Sequence, residues 1–211
     1  FNINTFNAIV INYTVCLVLG TLIDKESAWP FSGAILQAQW FSFDVILGLM
    51  FIVGFNLTAN SIQQAGITMT TLIQRMSIIL TVSFTVILFH EHFGWLELCG
   101  LLMALMAIIA INQKTSSLSL KLSGPLPLIL MAVLVISAAI EILLYYVEKT
   151  GLVGNDQMAF TTHGFGCAAI FGWVSLAWLA FKRKLKLTGR DVIAGILLGI
   201  PNFFSIFLLL K

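Results

Sequence analysis

Charge is what this sequence has least of. Its 11 Lys and Arg and 9 Asp and Glu make up 9% of 211 residues, against about 25% in an average soluble domain. So few charges cannot clothe a water-facing surface, and a soluble globular domain is excluded. A formal net charge of +2 is too small to point to nucleic acid. Cysteine is scarce as well. Cys16, Cys99 and Cys167 are odd in number, far apart and without a CxxC, which leaves neither a disulfide framework nor a zinc site. They read as small helix-packing residues. No basic segment followed by a short apolar run and a small-residue cleavage site opens the chain, so no signal peptide is read there. The start on Phe1 and the stop just after "FFSIFLLL" lead us to expect a segment of a longer protein.

Catalytic patterns are missing too. The sequence has no GxSxG, no HExxH and no pair of intramembrane aspartates, which removes the commonest nucleophile and metalloprotease arrangements. "HEHFGWLE" at 90–97 looks metal-like, but residue 94 is Gly, and His90 and His92, two apart at a helix end, diverge. An interfacial cap fits it better. Neither a metal nor a cofactor is expected, and the chain does not read as an enzyme.

What is abundant is apolar bulk. Hydrophobic residues make up 59% of the chain, with 17 Phe and 5 Trp, and mean hydropathy is +1.01. Runs of about 20 apolar residues, enough for a hydrocarbon core roughly 30 Å thick, fall near 4–23, 41–62, 67–90, 95–113, 125–147, 158–181 and 190–211. The expectation is an all-α polytopic membrane protein with seven visible transmembrane helices, embedded in a lipid bilayer. Barrel strands would alternate with period two instead. Basic loop residues set the expected orientation. The side holding Phe1 carries Lys114, Lys121, Lys182, Arg183, Lys184, Lys186 and Arg190, and the other carries Lys25, Lys149 and Lys211. The Phe1 side is therefore expected to be cytoplasmic.

A weak internal repeat runs through these spans. "DVILG" at 44–48 opens one helix and "DVIAG" at 191–195 another, while Ala8, Asn12 and Cys16 align with Ala159, His163 and Cys167. The offsets are 147 and 151, close enough for one loop to absorb the difference. An odd number of crossings separates matched helices, so the copies point in opposite directions, as in transporters with inverted topology.

Residues 56–112, "NLTANSIQQAGITMTTLIQRMSIILTVSFTVILFHEHFGWLELCGLLMALMAIIAIN", resemble the EamA-like family of the drug/metabolite transporter superfamily. The stretch has a small-residue entry, an apolar helix ending in Glu91, a short loop, and Gly100 opening the next helix. The resemblance implies ten helices in two inverted five-helix repeats (5+5) and a multi-pass protein of a bacterial inner membrane. Residues 1–113 would hold helices two to five of the first repeat, 114–124 a linker, and 125–211 helices six to eight of an incomplete second repeat. Two departures stand out: Thr81 lies about where members often have a Pro in the fourth helix, and Ala and Ile close the fifth where Gly is common. Members drawn with a cytoplasmic N-terminus before helix one would place the basic loop 182–190 outside, opposite to the charge count.

The polar residues inside spans are the candidate site. Arg75 is the only formally charged side chain between Asp44 and Glu91. A guanidinium near mid-span costs roughly 2.5–3.5 kcal/mol on insertion scales. Thr68, Thr71 and Arg75 share one helical face, with Thr70, Gln74, Ser77, Thr81 and Thr85 beside it. We expect Arg75 to line a cavity and hold an anionic group bidentately, in preference to tying two helices together. Glu141 is the candidate proton-coupling group, and its depth in the span does not favour a direct pair with Arg75. Asn12, Asn56, His163 and Asn202, with Thr71 and Gln74, complete the candidate substrate-binding set, although interhelical hydrogen bonding explains such groups equally well. Gly195 and Gly199 form GxxxG, read as packing within the chain, and Pro201 beside Asn202 is expected to break the last helix.

Taken together, these residues predict a secondary transporter that moves a small polar metabolite, anionic or zwitterionic, by alternating access. A seven-helix sensor or receptor and a membrane-embedded enzyme are the alternatives. No residue pattern specifies an oligomer.

Overall fold

The computed structural model describes residues 3–23, 37–89, 94–96, 99–100, 102–103, 106, 124–154, 156–182 and 187–209. Among them the fold is all-helical, with six helices: α1 Thr5–Ile23, α2 Phe41–Ala65, α3 Ile67–Phe89, α4 Leu126–Lys149, α5 Gln157–Phe181 and α6 Gly189–Leu209. The first five are long and apolar enough to cross a membrane, the length and composition of a multi-pass integral membrane protein. Most of the expected span at 95–113 lies outside the described residues, as do Glu91, His90, His92, the 114–123 linker and Arg183, Lys184 and Lys186.

Local chemistry sets the boundaries. α2 stops at Gly66, which takes φ +80° and donates its N–H to the Ile62 carbonyl at 2.9 Å. A left-handed residue ends a helix while satisfying one of its last carbonyls, and Gly does so without a Cβ clash. α4 ends the same way, with Gly151 at φ +68°. α1 is capped by Asn4, whose side-chain oxygen accepts from the N–H groups of Phe6 (3.1 Å) and Asn7 (3.4 Å). α6 runs straight through Pro201, so the expected break is absent. The proline costs the helix one backbone hydrogen bond without ending it.

The chain divides into two compact units, Phe1–Asn56 with Leu143–Lys211, and Leu57–Ile142. In the first, α1 and α6 run parallel. A Cβ at Gly195 would collide with Ile11 and with the Ala8 carbonyl (2.8 Å), and one at Gly199 would lie 2.7 Å from Val15 and 2.9 Å from the Asn12 carbonyl. The GxxxG pair is thus spent inside the chain, letting two backbones approach closely. α2 and α5 are also parallel: a Cβ at Gly48 would meet Cys167 at 2.5 Å and the Ala168 nitrogen at 2.8 Å. Tyr13 fastens these elements together. Its hydroxyl donates to the Phe51 carbonyl at 3.1 Å, and its ring meets Phe51, Phe55 and Phe165 at 6.0, 5.5 and 6.0 Å. Such aromatic contacts add about 0.5–1.5 kcal/mol each beyond area burial.

In the second unit hydroxyls tie the helices. Ser61 of α2 and Thr70 of α3 share a hydrogen bond of 2.8 Å, and Gln74 donates to Thr58 at 3.1 Å. Thr70, Ser77 and Thr85 form the buried side of α3.

Candidate functional site

The second unit holds four of the expected site residues. On α3 the spacing Ser77 to Thr81, four residues, puts both hydroxyls on one face. Both meet Glu141 of α4: Ser77 donates to one carboxylate oxygen at 2.8 Å and Thr81 to the other at 2.7 Å. Ser77 also lies 2.5 Å from the Gln74 carbonyl and Thr81 3.1 Å from the Ser77 carbonyl. Each hydroxyl has one proton to give and lone pairs to receive. The arrangement therefore accommodates an ionised carboxylate by donation, or a protonated carboxyl by acceptance.

Arg75 does not join this cluster. At about 100° per residue it stands roughly 120–160° around α3 from Ser77 and Thr81. Its side chain is exposed and makes no hydrogen bond or ion pair among the described residues. Thr71, on the same side, folds back onto the carbonyls of Ile67 (2.9 Å) and Thr68 (3.1 Å). The polar arc of the helical wheel is thus divided by packing. Its Ser77 side is committed to Glu141, and its Arg75 side is left open.

The first unit brings together two more of the expected residues. Asn202, next to Pro201, donates to the Asn12 oxygen at 3.3 Å across the α1–α6 pair, and the Cys16 thiol donates to the Gly199 carbonyl at 3.4 Å. His163 lies elsewhere, on the α2–α5 pair, its ring 5.6 Å from that of Trp40. Asn56 donates to the Ile52 carbonyl one turn back, at 2.7 Å, which makes it a local helix bond.

Two buried aspartates, Asp44 and Asp191, open the repeated helices but were not among the expected site residues. Asp191 accepts from the Asn4 backbone N–H (2.8 Å), the Asn7 side-chain amide (2.8 Å) and the Thr188 backbone N–H (3.0 Å). "TGRD" at 188–191 is a capping box: Thr188 gives its carbonyl to the Val192 N–H (3.3 Å), and the acid three residues on reaches back to the cap. That signal was legible in the sequence. Asp44, in the other DVxxG copy, sits one position later. The cap there is Trp40, whose carbonyl receives the Asp44 N–H at 3.1 Å. One more residue turns the side chain about 100°, away from its own cap and toward α5. A Cβ at Gly164 would stand 3.4 Å from an Asp44 carboxyl oxygen. Among the described residues neither oxygen has a hydrogen-bond partner, and the residue is wholly buried. Among the described residues no group of three or more His, Cys, Asp or Glu is placed to hold a metal ion.

The class defined so far is an all-helical, multi-pass membrane protein with isolated polar clusters between apolar helices. No protein-family model matches the chain. An uncharacterized protein of Haemophilus influenzae is 26% identical over 212 residues, an alignment that spans all of this chain and 70% of that protein. No solved structure is significantly similar to it.

Proposed function

We propose that the protein is a secondary transporter that carries a small anionic or zwitterionic metabolite across a bacterial inner membrane by alternating access. The observation that carries the reading is Arg75. It lies about 5 Å from the middle of α3 along the axis, at a rise of 1.5 Å per residue, and engages nothing among the described residues. A guanidinium at such depth faces the bundle interior or a water-filled cavity as a rule. Its planar fork of donors suits a carboxylate or phosphate.

Glu141 is the proton-coupling group in this proposal. Its two hydroxyl partners can serve either protonation state by turning their O–H groups between the carboxyl and the backbone carbonyls beside them, which suits a group that loads and unloads a proton. The parallel pairs α1–α6 and α2–α5, each containing one DVxxG helix, support descent from a duplicated, inverted unit. Seven spans in this chain, a 5+5 architecture of ten helices and membership of the EamA-like family belong to the same proposal.

The test is flux. Proteoliposomes holding the full-length protein should take up or release at least one solute from a pool of anionic and zwitterionic metabolites faster than protein-free liposomes. Equal leakage for every solute, in both directions and with or without a proton gradient, refutes the proposal.

A further inference from the structure

The aspartates of the two DVxxG copies both lack exposed surface, yet they are treated differently. Asp191 receives three hydrogen bonds, and Asp44 receives none among the described residues. The surroundings of Asp44 are specific. From α5 it is faced by Gly164, and one turn further on Cys167 lies against Gly48. His163 lies on the same side of α5, against Trp40, one turn before Asp44 on α2. From α4, Tyr146 packs on the neighbouring Phe43, with ring centroids 5.7 Å apart. No Lys or Arg among the described residues pairs with it.

We propose that Asp44 is a reversible proton-binding site inside the α2–α5 pair, separate from Glu141. A proton from the aqueous phase adds to one carboxylate oxygen, an O–H bond forms and the charge is lost. The same proton returns to water when the carboxylate re-forms. Two opposed influences make both forms accessible. Burial without a donor works against the charge, while the first turn of a helix, with its partly positive N–H groups, favours it. A metal ion fits less well, because hard cations take six or more oxygen ligands and the described residues supply no such set around Asp44. The inference does not depend on the transport reading.

Infrared titration of the full-length protein in lipid tests it, by following the carbonyl stretch of protonated carboxyl groups in H2O and D2O. Wild type, Asp44→Asn and Glu141→Gln are compared. The expected result is a titrating component in wild type that Asp44→Asn removes and Glu141→Gln leaves in place. A spectrum unchanged by Asp44→Asn overturns the proposal. So does a wild type without such a component whose melting temperature rises with sodium, which would assign Asp44 to a metal ion. Should Asp44→Asn fail to fold, Gly164→Ser takes its place. A hydroxyl beside the carboxylate favours the charged form, so the same component must titrate at more acid pH, and an unmoved midpoint overturns the proposal.

Discussion

Replacing Asp191 by Ala removes one acceptor from three donors at the point where α1 and α6 begin. The Asn4 and Thr188 N–H groups are part-buried at helix starts, where water can replace the carboxylate, so they weigh little. The Asn7 amide is buried and loses its hydrogen bond to the carboxylate. A hydrogen bond to a charged group contributes about 1.5–3 kcal/mol net. Adding a modest share from the two backbone donors gives a loss of about 3 kcal/mol. At about 2–4 °C per kcal/mol for a chain of this size, the melting temperature should fall by about 6–12 °C. Thermal unfolding of the purified full-length protein measures this directly. Asp191→Asn, which retains one acceptor oxygen, should fall about half as far. A double-mutant cycle with Asn7→Ala should give a coupling of about 1–2 kcal/mol. The reasoning fails if Asp191→Ala melts with wild type, or if its effect and that of Asn7→Ala simply add.

Two further outcomes follow from the packing. Gly195→Val places branched carbon against Ile11 and the Ala8 carbonyl and should cost about 1–3 kcal/mol as overpacking. Gly100→Ala, with nothing within 4 Å among the described residues, should not lower the melting temperature; equal losses would contradict the close approach of α1 and α6. Thr81→Val removes one hydroxyl from Glu141 and should cost about 1 kcal/mol in unfolding measurements. A Glu141→Gln background should lessen that loss, and an undiminished loss would show that Thr81 acts elsewhere.

Helix position was legible in the sequence because hydropathy and length are local signals. The expected spans 41–62, 67–90 and 158–181 match α2, α3 and α5 to within three residues at either end. GxxxG at 195–199 was legible for the same reason, since small residues four apart declare a close contact whatever the partner. Pro201 misled, because a single lost hydrogen bond inside a long apolar helix is tolerated when neighbours hold it. The side-chain clusters were not legible. The helical wheel placed Arg75 and Ser77 in one polar arc, and only the position of Glu141 on α4 shows which part of that arc is used. The difference between Asp44 and Asp191 turns on one residue of spacing from the helix cap. That is smaller than the boundary error of any reading from hydropathy alone.

The account stands or falls on Arg75 as a ligand-binding group. The most direct measurement is solute flux through proteoliposomes carrying the full-length wild type, Arg75→Ala or Arg75→Lys at matched protein content. Arg75→Ala should abolish flux of the anionic or zwitterionic solute, while its melting temperature stays with wild type because the guanidinium engages nothing in the described protein. Arg75→Lys, with charge but no planar fork, should retain only a small part of the flux. Normal flux through Arg75→Ala, combined with a lower melting temperature, would make Arg75 a structural tie and contradict the proposal.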